Sequence, residues 1–122
     1  MKLCAVTLDC PDPLALAEFY QRATDYAPHP MSDAEFAGLI GPGGFFLGFQ
    51  RVDDYQRPQW PGPASPQQSH LDFAVPDLDE GEKRLLGLGA IKAEHQPNEQ
   101  RWRVLLDPAG HPFCLVIEGE QG

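Results

Sequence analysis

The sequence predicts an α+β fold in which two tandem βαβββ modules form a curved mixed sheet around a cleft, with the helices on the outer face. Three observations lead to this fold class. The chain of 122 residues has the length of one ordinary domain, and 42% hydrophobic content is enough to fill a core. Its two halves share an internal repeat. Each half also contains a helical pattern that is preceded and followed by strand patterns.

The repeat is visible at the start and the end of each half. Residues 5–12 align with residues 70–77, with the apolar positions and a Pro-Asp pair in step. Residues 41–44 align with residues 107–110, and each of these turns precedes a short apolar strand. The expected organisation is one domain over residues 1–122, with module one at 1–52, a linker at 53–69, module two at 70–118 and a tail at 119–122.

Module one contains a helix signal directly after its opening strand. Asp12 is the expected N-cap and Pro13 takes the first helical position. Apolar residues then recur at helical spacing at Leu16, Phe19, Tyr20 and Ala23. Strands are predicted at 36–40 and 45–52, and a weakly patterned one at 26–31, while residues 32–35 are interpreted as a turn.

Module two repeats this plan. Asp77 and Glu80 form a D-x-x-E capping signature, and Gly87 and Gly89 mark the end of the helix that follows. Strands are predicted at 91–95, 101–106 and 113–118. The linker contains four prolines, which predicts an extended and semi-rigid segment. Tyr55 and Trp60 lie in it and either pin it to the surface or form a lid over the cleft.

Strand alternation assigns side chains to the two faces of the sheet. One face of the opening strands is apolar and should pack under the helices; it carries Val6, Leu8, Cys10, Leu71, Phe73 and Val75. The other face should line the cleft and carries Ala5, Thr7, Asp9, His70, Asp72 and Ala74. In the closing strands Phe46, Gly48 and Gln50 share one face. Alternation does not decide whether Trp102 or its neighbours Arg101 and Arg103 face the cleft.

Composition excludes several classes of function. A net charge of −9 disfavours nucleic acid and anionic membranes, because phosphate binding requires clustered Lys and Arg. No apolar run approaches the roughly 20 residues that span a bilayer, and the N-terminus lacks a signal-peptide pattern, so a cytoplasmic location is expected. Three cysteines without a C-x-x-C pair predict reduced, mostly buried thiols. Nucleotide-binding, metalloprotease and serine-hydrolase motifs are also missing from the sequence.

The order of these signals resembles the vicinal oxygen chelate superfamily, and within it the glyoxalase-like domain proteins. The resemblance rests on strand, Pro-Asp and helix in both halves, and on the D-P-x-G turn of residues 107–110 that leads into the last strand. It covers residues 3–118. It implies a divalent metal in the cleft, with ligands at the positions of Ala5, Gly48, His70 and Cys114. Since only His70 is an ordinary ligand, we expect no metal, with a divalent ion near His70 as the alternative.

The candidate catalytic residues are His70, Asp72 and Asp9. His70 begins an opening strand and Asp72 follows two positions later, where its carboxylate can orient the imidazole for acid or base work. A His that is hydrogen-bonded only at the strand end is the alternative. Cys114 is either a soft metal ligand or a nucleophile, or it is an inert apolar residue. His29 and His95 are expected at the surface, and His111 is expected to face either solvent or the helix side. The expected ligand-binding residues are Thr7, Phe46, Gln50, Trp60, Trp102 and Cys114.

These observations lead to one main hypothesis on function and two alternatives. The main hypothesis is a glyoxalase-like protein that binds a small organic molecule in the cleft, with proton transfer of isomerase or lyase type. The resemblance also implies a homodimer. One alternative is non-catalytic sequestration of a cationic antibiotic, of the bleomycin-resistance type, in an acidic cleft. The other is a metal-dependent lyase or dioxygenase with a rearranged ligand set, in which Asp72, Asp9, Gln50 or Glu118 replaces the lost ligands.

Overall fold

The computed structural model describes residues 1–58 and 69–119, and it divides the chain into two compact units, Met1–Gln56 and Arg57–Gly122. Unit one contains β1 (Ala5–Cys10), α1 (Pro13–Thr24), β2 (Ala27–Pro28), β3 (Phe36–Ile40) and β4 (Phe46–Arg51). A short 3-10 turn at Pro42–Gly44 joins β3 to β4. Unit two contains β5 (Leu71–Val75), α2 (Leu78–Leu88), β6 (Ile91–Lys92), β7 (Trp102–Leu106) and β8 (Pro112–Ile117).

The two units have the same topology. The strand order is β1-β4-β3-β2 in unit one and β5-β8-β7-β6 in unit two. The opening and closing strands of each unit pair in parallel, and the other neighbours pair antiparallel. Each unit is therefore a βαβββ module with a four-stranded mixed sheet and one helix. The predicted α+β fold class and the internal duplication are confirmed.

Both helices begin where the capping residues predict. An Asp12 carboxylate oxygen accepts a hydrogen bond from the Ala15 amide at 3.2 Å, and Asp77 accepts one from the Glu80 amide at 2.9 Å. The second helix ends at Gly89, whose φ of 117° suits glycine. Within the described residues no helix is long and apolar enough to cross a bilayer.

Each helix packs on one face of its own sheet and buries the core there. Tyr20 on α1 stacks on Phe49 of β4 with ring centroids 5.6 Å apart. In unit two the buried Leu85 of α2 lies over the closing strands, which bury Phe113 and Leu115. On the opposite faces Thr7, Asp9, Asp72 and Ala74 are exposed. The predicted assignment of the opening-strand faces is confirmed.

The second strand of module two is shorter than expected. The sequence predicts a strand at 91–95, whereas β6 covers only Ile91–Lys92. The Gln96 side chain explains the difference, because its amide donates to the Val104 carbonyl at 2.8 Å and accepts from the Val104 amide at 2.9 Å. A side chain thus satisfies the backbone groups of β7 that a longer strand would have paired. Likewise the weak strand at 26–31 is reduced to Ala27–Pro28, and residues 32–35 form the predicted turn.

The D-P-x-G turn is organised by the buried carboxylate of Asp107. One Asp107 oxygen accepts from the Ala109 amide at 2.9 Å and from the His111 amide at 3.0 Å, and the side chain is fully buried. Gly110 takes a φ of 91° within this turn. The turn that carried the family resemblance therefore fixes where β8 begins.

Candidate functional site

The best-defined polar pair of unit two is formed by His70 and Asp72. His70 directly precedes β5 and Asp72 lies two residues further on, so alternation places both on the face opposite α2. The His70 Nε2 atom lies 3.1 Å from an Asp72 carboxylate oxygen, with 37% and 55% of the two side chains exposed. The arrangement is that of an imidazole oriented by a carboxylate and open to solvent.

Cys114 joins this pair from the neighbouring strand. It lies opposite Asp72 in the parallel register of β5 and β8, and it is buried. Burial raises the pKa of the Cys114 thiol to about 11, and the negative charge of Asp72 and a hydrogen bond to its carboxylate add to the shift. At neutral pH Cys114 therefore holds its proton and is not a reactive thiolate.

An apolar patch continues the same face of the sheet. Ala93, Val104 and Cys114 form a buried cluster, and the half-buried Trp102 and Leu106 pack against it. The neighbouring Arg103 has other partners, since its guanidinium contacts Asp79 at 2.9 Å and Glu82 at 3.1 Å on α2. Alternation left open whether Trp102 or Arg103 lies on the same face as Cys114. In the structure Trp102 lies on that face, and Arg103 pairs with acidic residues of α2. The His70–Asp72 pair therefore borders an apolar cluster of which Trp102 and Leu106 are partly exposed.

The same three polar residues form a potential set of metal donors. One ligand atom each from His70, Asp72 and Cys114 lies within 4.8 Å of the others. A nitrogen, an oxygen and a sulfur donor suit zinc-like ions, whereas magnesium and calcium prefer oxygen alone. The donors present fit a borderline or soft divalent ion, provided that Cys114 loses its proton.

In unit one the corresponding positions carry different chemistry. Thr7 lies opposite Gly48 in the register of β1 and β4, as Asp72 lies opposite Cys114 in unit two. A Cβ atom at position 48 would lie 2.9 Å from the Phe36 ring and 3.0 Å from the Phe46 ring. Aromatic rings therefore fill the space that a side chain at position 48 would need.

The remaining candidates of unit one share this face. Asp9 lies opposite Gln50 and Ala5 opposite Phe46 in the β1–β4 register, and Asp9 and Gln50 are exposed. The candidates thus fall into two groups. His70, Asp72, Cys114 and Trp102 lie in unit two, and Thr7, Asp9, Phe46 and Gln50 lie in unit one. Trp60 lies outside the described residues.

Comparison with known proteins decides the family. A family model for the glyoxalase-like domain matches residues 5–116. The chain belongs to the glyoxalase-like domain family. This membership confirms the resemblance to the vicinal oxygen chelate superfamily, which contains both enzymes and resistance proteins. No curated protein sequence matches this glyoxalase-like protein at a significant level.

Solved structures agree with the glyoxalase-like fold. A possible glyoxalase from Bacillus cereus is 18% identical with a TM-score of 0.71, over 95% of this chain and 98% of that one. A glyoxalase/bleomycin resistance/dioxygenase family enzyme from Burkholderia phytofirmans PsJN is 20% identical with a TM-score of 0.71, over 94% and 97%. The fosfomycin resistance protein FosX from Listeria monocytogenes, complexed with Mn(II) and 1S,2S-dihydroxypropylphosphonic acid, is 19% identical with a TM-score of 0.68, over 95% and 88%.

Sequence reasoning missed the aromatic surroundings of the unit-one positions. Phe36 was predicted only as part of a strand, yet its ring lies parallel to that of Phe46, with centroids 5.9 Å apart. His29, expected at the surface, is half-buried with its ring edge against Phe46 at 5.5 Å. The sequence does contain a signal for this aromatic cluster, because Phe36 and Gly38, like Phe46 and Gly48, lie two residues apart on one face of a strand. A glycine on that face leaves room for the neighbouring ring.

Proposed function

We propose that this glyoxalase-like protein binds a small organic molecule on the β5–β8 face of unit two, and that His70 transfers a proton on it. The observation that carries the proposal is the 3.1 Å contact between His70 Nε2 and the Asp72 carboxylate on an open face. The half-buried Trp102 and Leu106, which pack against the buried cluster beside this pair, would contact the apolar part of the ligand. No metal is part of this proposal.

The proton transfer follows from the tautomer that Asp72 favours. With Nε2–H donating to the carboxylate, Nδ1 is the nitrogen that accepts a proton from the ligand. The Asp72 charge then stabilises the imidazolium. Returning the proton to another atom of the ligand gives an isomerisation, and giving it to a leaving group completes an elimination. Both outcomes restore neutral His70, and neither needs a redox partner.

The test is exchange of carbon-bound protons in D2O. A panel of small 2-oxo and α-hydroxycarbonyl compounds, including hydroxyacetone and pyruvate, is incubated with the protein and followed by proton NMR. We expect protein-dependent deuterium incorporation into at least one compound. It should fall roughly 100-fold in His70→Gln, as is typical for loss of a general base, and less in Asp72→Asn. Glu94→Gln, exposed on the same unit, is the control. Exchange that survives His70→Gln would refute the assignment.

A second candidate function is favoured by the donor set of His70, Asp72 and Cys114, whose ligand atoms lie within 4.8 Å of one another. A bound zinc-like ion would supply Lewis-acid chemistry to an oxygen of the ligand. Because the Cys114 thiol must ionise first, binding would release a proton and tighten with rising pH. Titration with Co2+ should then produce a thiolate charge-transfer band that is lost in Cys114→Ser. Without that band, and with sub-stoichiometric metal after chelator-free purification, the metal-dependent alternative is rejected.

Assembly, location and sequestration complete the proposal. A homodimer is supported by the family resemblance, and light scattering of the purified protein would test it. A cytoplasmic location is supported by the three cysteines of the described residues, which form no disulfide, as is usual in reducing compartments. Sequestration of a cationic antibiotic is supported by the charge of −9. Titration with a panel of cationic antibiotics, without saturable binding, would remove that alternative.

A further inference from the structure

Unit one contains a small cavity that none of the preceding chemistry uses. Its volume is about 120 Å³, and its lining includes His29, Met31, Asp33, Phe36 and Phe46. The cavity lies beside the residues that connect β2 to β3. It is mostly apolar, with one carboxylate among its lining residues.

Two glycines make the aromatic wall of this cavity possible. A Cβ atom on Gly38 would lie within the volume of the Phe46 ring, and one on Gly48 would contact both phenylalanine rings. The two rings are therefore held close to the backbone, parallel to each other within 3°. The edge of His29 closes against Phe46, and its Nδ1 atom accepts the Met31 amide at 3.1 Å. The wall is formed by the rings of His29, Phe36 and Phe46, and the two phenylalanine rings pack close to glycine positions of the backbone.

The carboxylate of Asp33 is fixed by its own turn. One of its oxygens accepts from the Glu35 amide at 2.9 Å and from the Phe36 amide at 3.0 Å. These hydrogen bonds hold the pKa of the Asp33 carboxyl below its ordinary value. At neutral pH a negative charge is thus held beside the aromatic rings. The nearby Glu35 is paired with Arg51 at 3.6 Å, so its charge is partly compensated.

We propose that this cavity binds a small organic cation, an ammonium group that carries alkyl substituents. Aromatic rings attract such a cation through their electron-rich faces, and the thioether of Met31 adds an apolar contact. The fixed carboxylate adds Coulomb attraction, and a protein charge of −9 disfavours an anion. The proposal is independent of His70, which lies in the other unit.

The experiment compares two probes of the same shape. Choline and its neutral isostere 3,3-dimethylbutan-1-ol differ in charge alone. We expect choline, titrated at constant ionic strength, to shift the amide NMR resonances of Asp33, Phe36 and Gly38 saturably. The neutral alcohol should bind at least about five-fold more weakly, as expected when one ion contact is lost. Equal binding of the two probes, or no saturable shift with choline, would overturn the proposal.

Variants distinguish binding in the cavity from nonspecific attraction of a cation to the negatively charged chain. Asp33→Asn keeps an oxygen that can accept hydrogen bonds from the Glu35 and Phe36 amides but removes the charge. The affinity for choline should therefore fall about five-fold, while the affinity for the alcohol should not change. Glu94→Gln removes an equal charge from exposed sequence in unit two and should have no effect. Phe36→Leu, at a position that is 38% exposed, should weaken choline binding without unfolding the protein. Equal losses in Asp33→Asn and Glu94→Gln would contradict a specific site.

Discussion

The Cys114 thiol lies opposite the Asp72 carboxylate across the parallel β5–β8 pair, with ligand atoms of the two side chains within 4.8 Å of each other. Asp72 also contacts His70 at 3.1 Å, so one carboxylate organises both neighbours. Burial is the main reason why the Cys114 thiol stays protonated, and the carboxylate that orients the imidazole adds to this effect. The proton-transfer proposal and the metal alternative therefore require different charge states of these three residues.

The first prediction concerns the reactivity of Cys114. With a pKa of about 11, roughly one thiol in a thousand is ionised at pH 8, so iodoacetamide should modify Cys114 very slowly. Asp72→Asn removes the negative charge and should speed modification several-fold, although burial still opposes ionisation. Asp9→Asn, a matched change in unit one, should leave the rate unchanged. Peptide mass spectrometry measures each cysteine separately, and identical rates in the two variants would contradict the contact.

The second prediction concerns stability at high pH. The folded pKa of Cys114, about 11, exceeds its ordinary value of 9.0. The contribution of the protonated Cys114 thiol to the free energy of unfolding is therefore fully present below pH 9. It is lost as pH rises toward 11, since this thiol ionises at lower pH in the unfolded chain than in the folded one. The loss should reach at most about 2 kcal/mol. Urea unfolding at pH 8 and pH 10.5 measures it. Cys114→Ala should show a smaller decrease than the wild type, and an equal decrease would exclude Cys114 as its source.

The third prediction concerns Arg103, which joins β7 to α2 through Asp79 and Glu82. Arg103 and Glu82 have side chains that are only 14% and 18% exposed, so their partners are not readily replaced by water. Arg103→Gln should lower the free energy of unfolding by about 1–2 kcal/mol. Arg101→Gln, at an exposed position two residues earlier, should change it by less than about 0.5 kcal/mol. Chemical denaturation of both variants provides the comparison.

The fourth prediction concerns the turn before β8. Asp107→Ala would leave the Ala109 and His111 amides without their acceptor and should cost about 2–3 kcal/mol. Asp107→Asn retains a carbonyl oxygen at the same place, so its cost should be smaller. Thermal unfolding of both variants distinguishes them. An Asn variant as unstable as the Ala variant would show that the charge, and not the acceptor, matters.

Local patterns predicted most of the fold. Asp12 and Asp77 predicted where the helices start, because an Asp directly before an amphipathic sequence is typical of a helix N-cap. β3 was predicted with the correct bounds, since turn-forming residues flank its short apolar run on both sides. The pattern failed at β6, where the Gln96 side chain replaces backbone pairing. Hydrogen bonds between a side chain and the backbone of another strand cannot be predicted from a pattern of apolar and polar residues.

The site was predicted less completely than the fold. His70 and Asp72 were predicted together because they lie two residues apart on one strand, and the structure places them in contact. The proximity of Cys114 depends on the register of β5 with β8, which the sequence does not encode locally. Which of Trp102 and Arg103 lies on the face of Cys114 could not be predicted either, because it depends on the acidic residues of α2 that pair with Arg103. The aromatic cavity depends on glycines whose role appears only when two strands pair.

The Phe36 and Phe46 rings beside Gly48 constrain how this chain can change in evolution. A glutamate introduced at position 48 would have to displace both rings before its carboxylate could reach the face of the sheet. Neither ring can move without altering the cavity that Gly38 makes possible. Introducing a chelating side chain at position 48 therefore requires accompanying changes at Phe36 and Phe46.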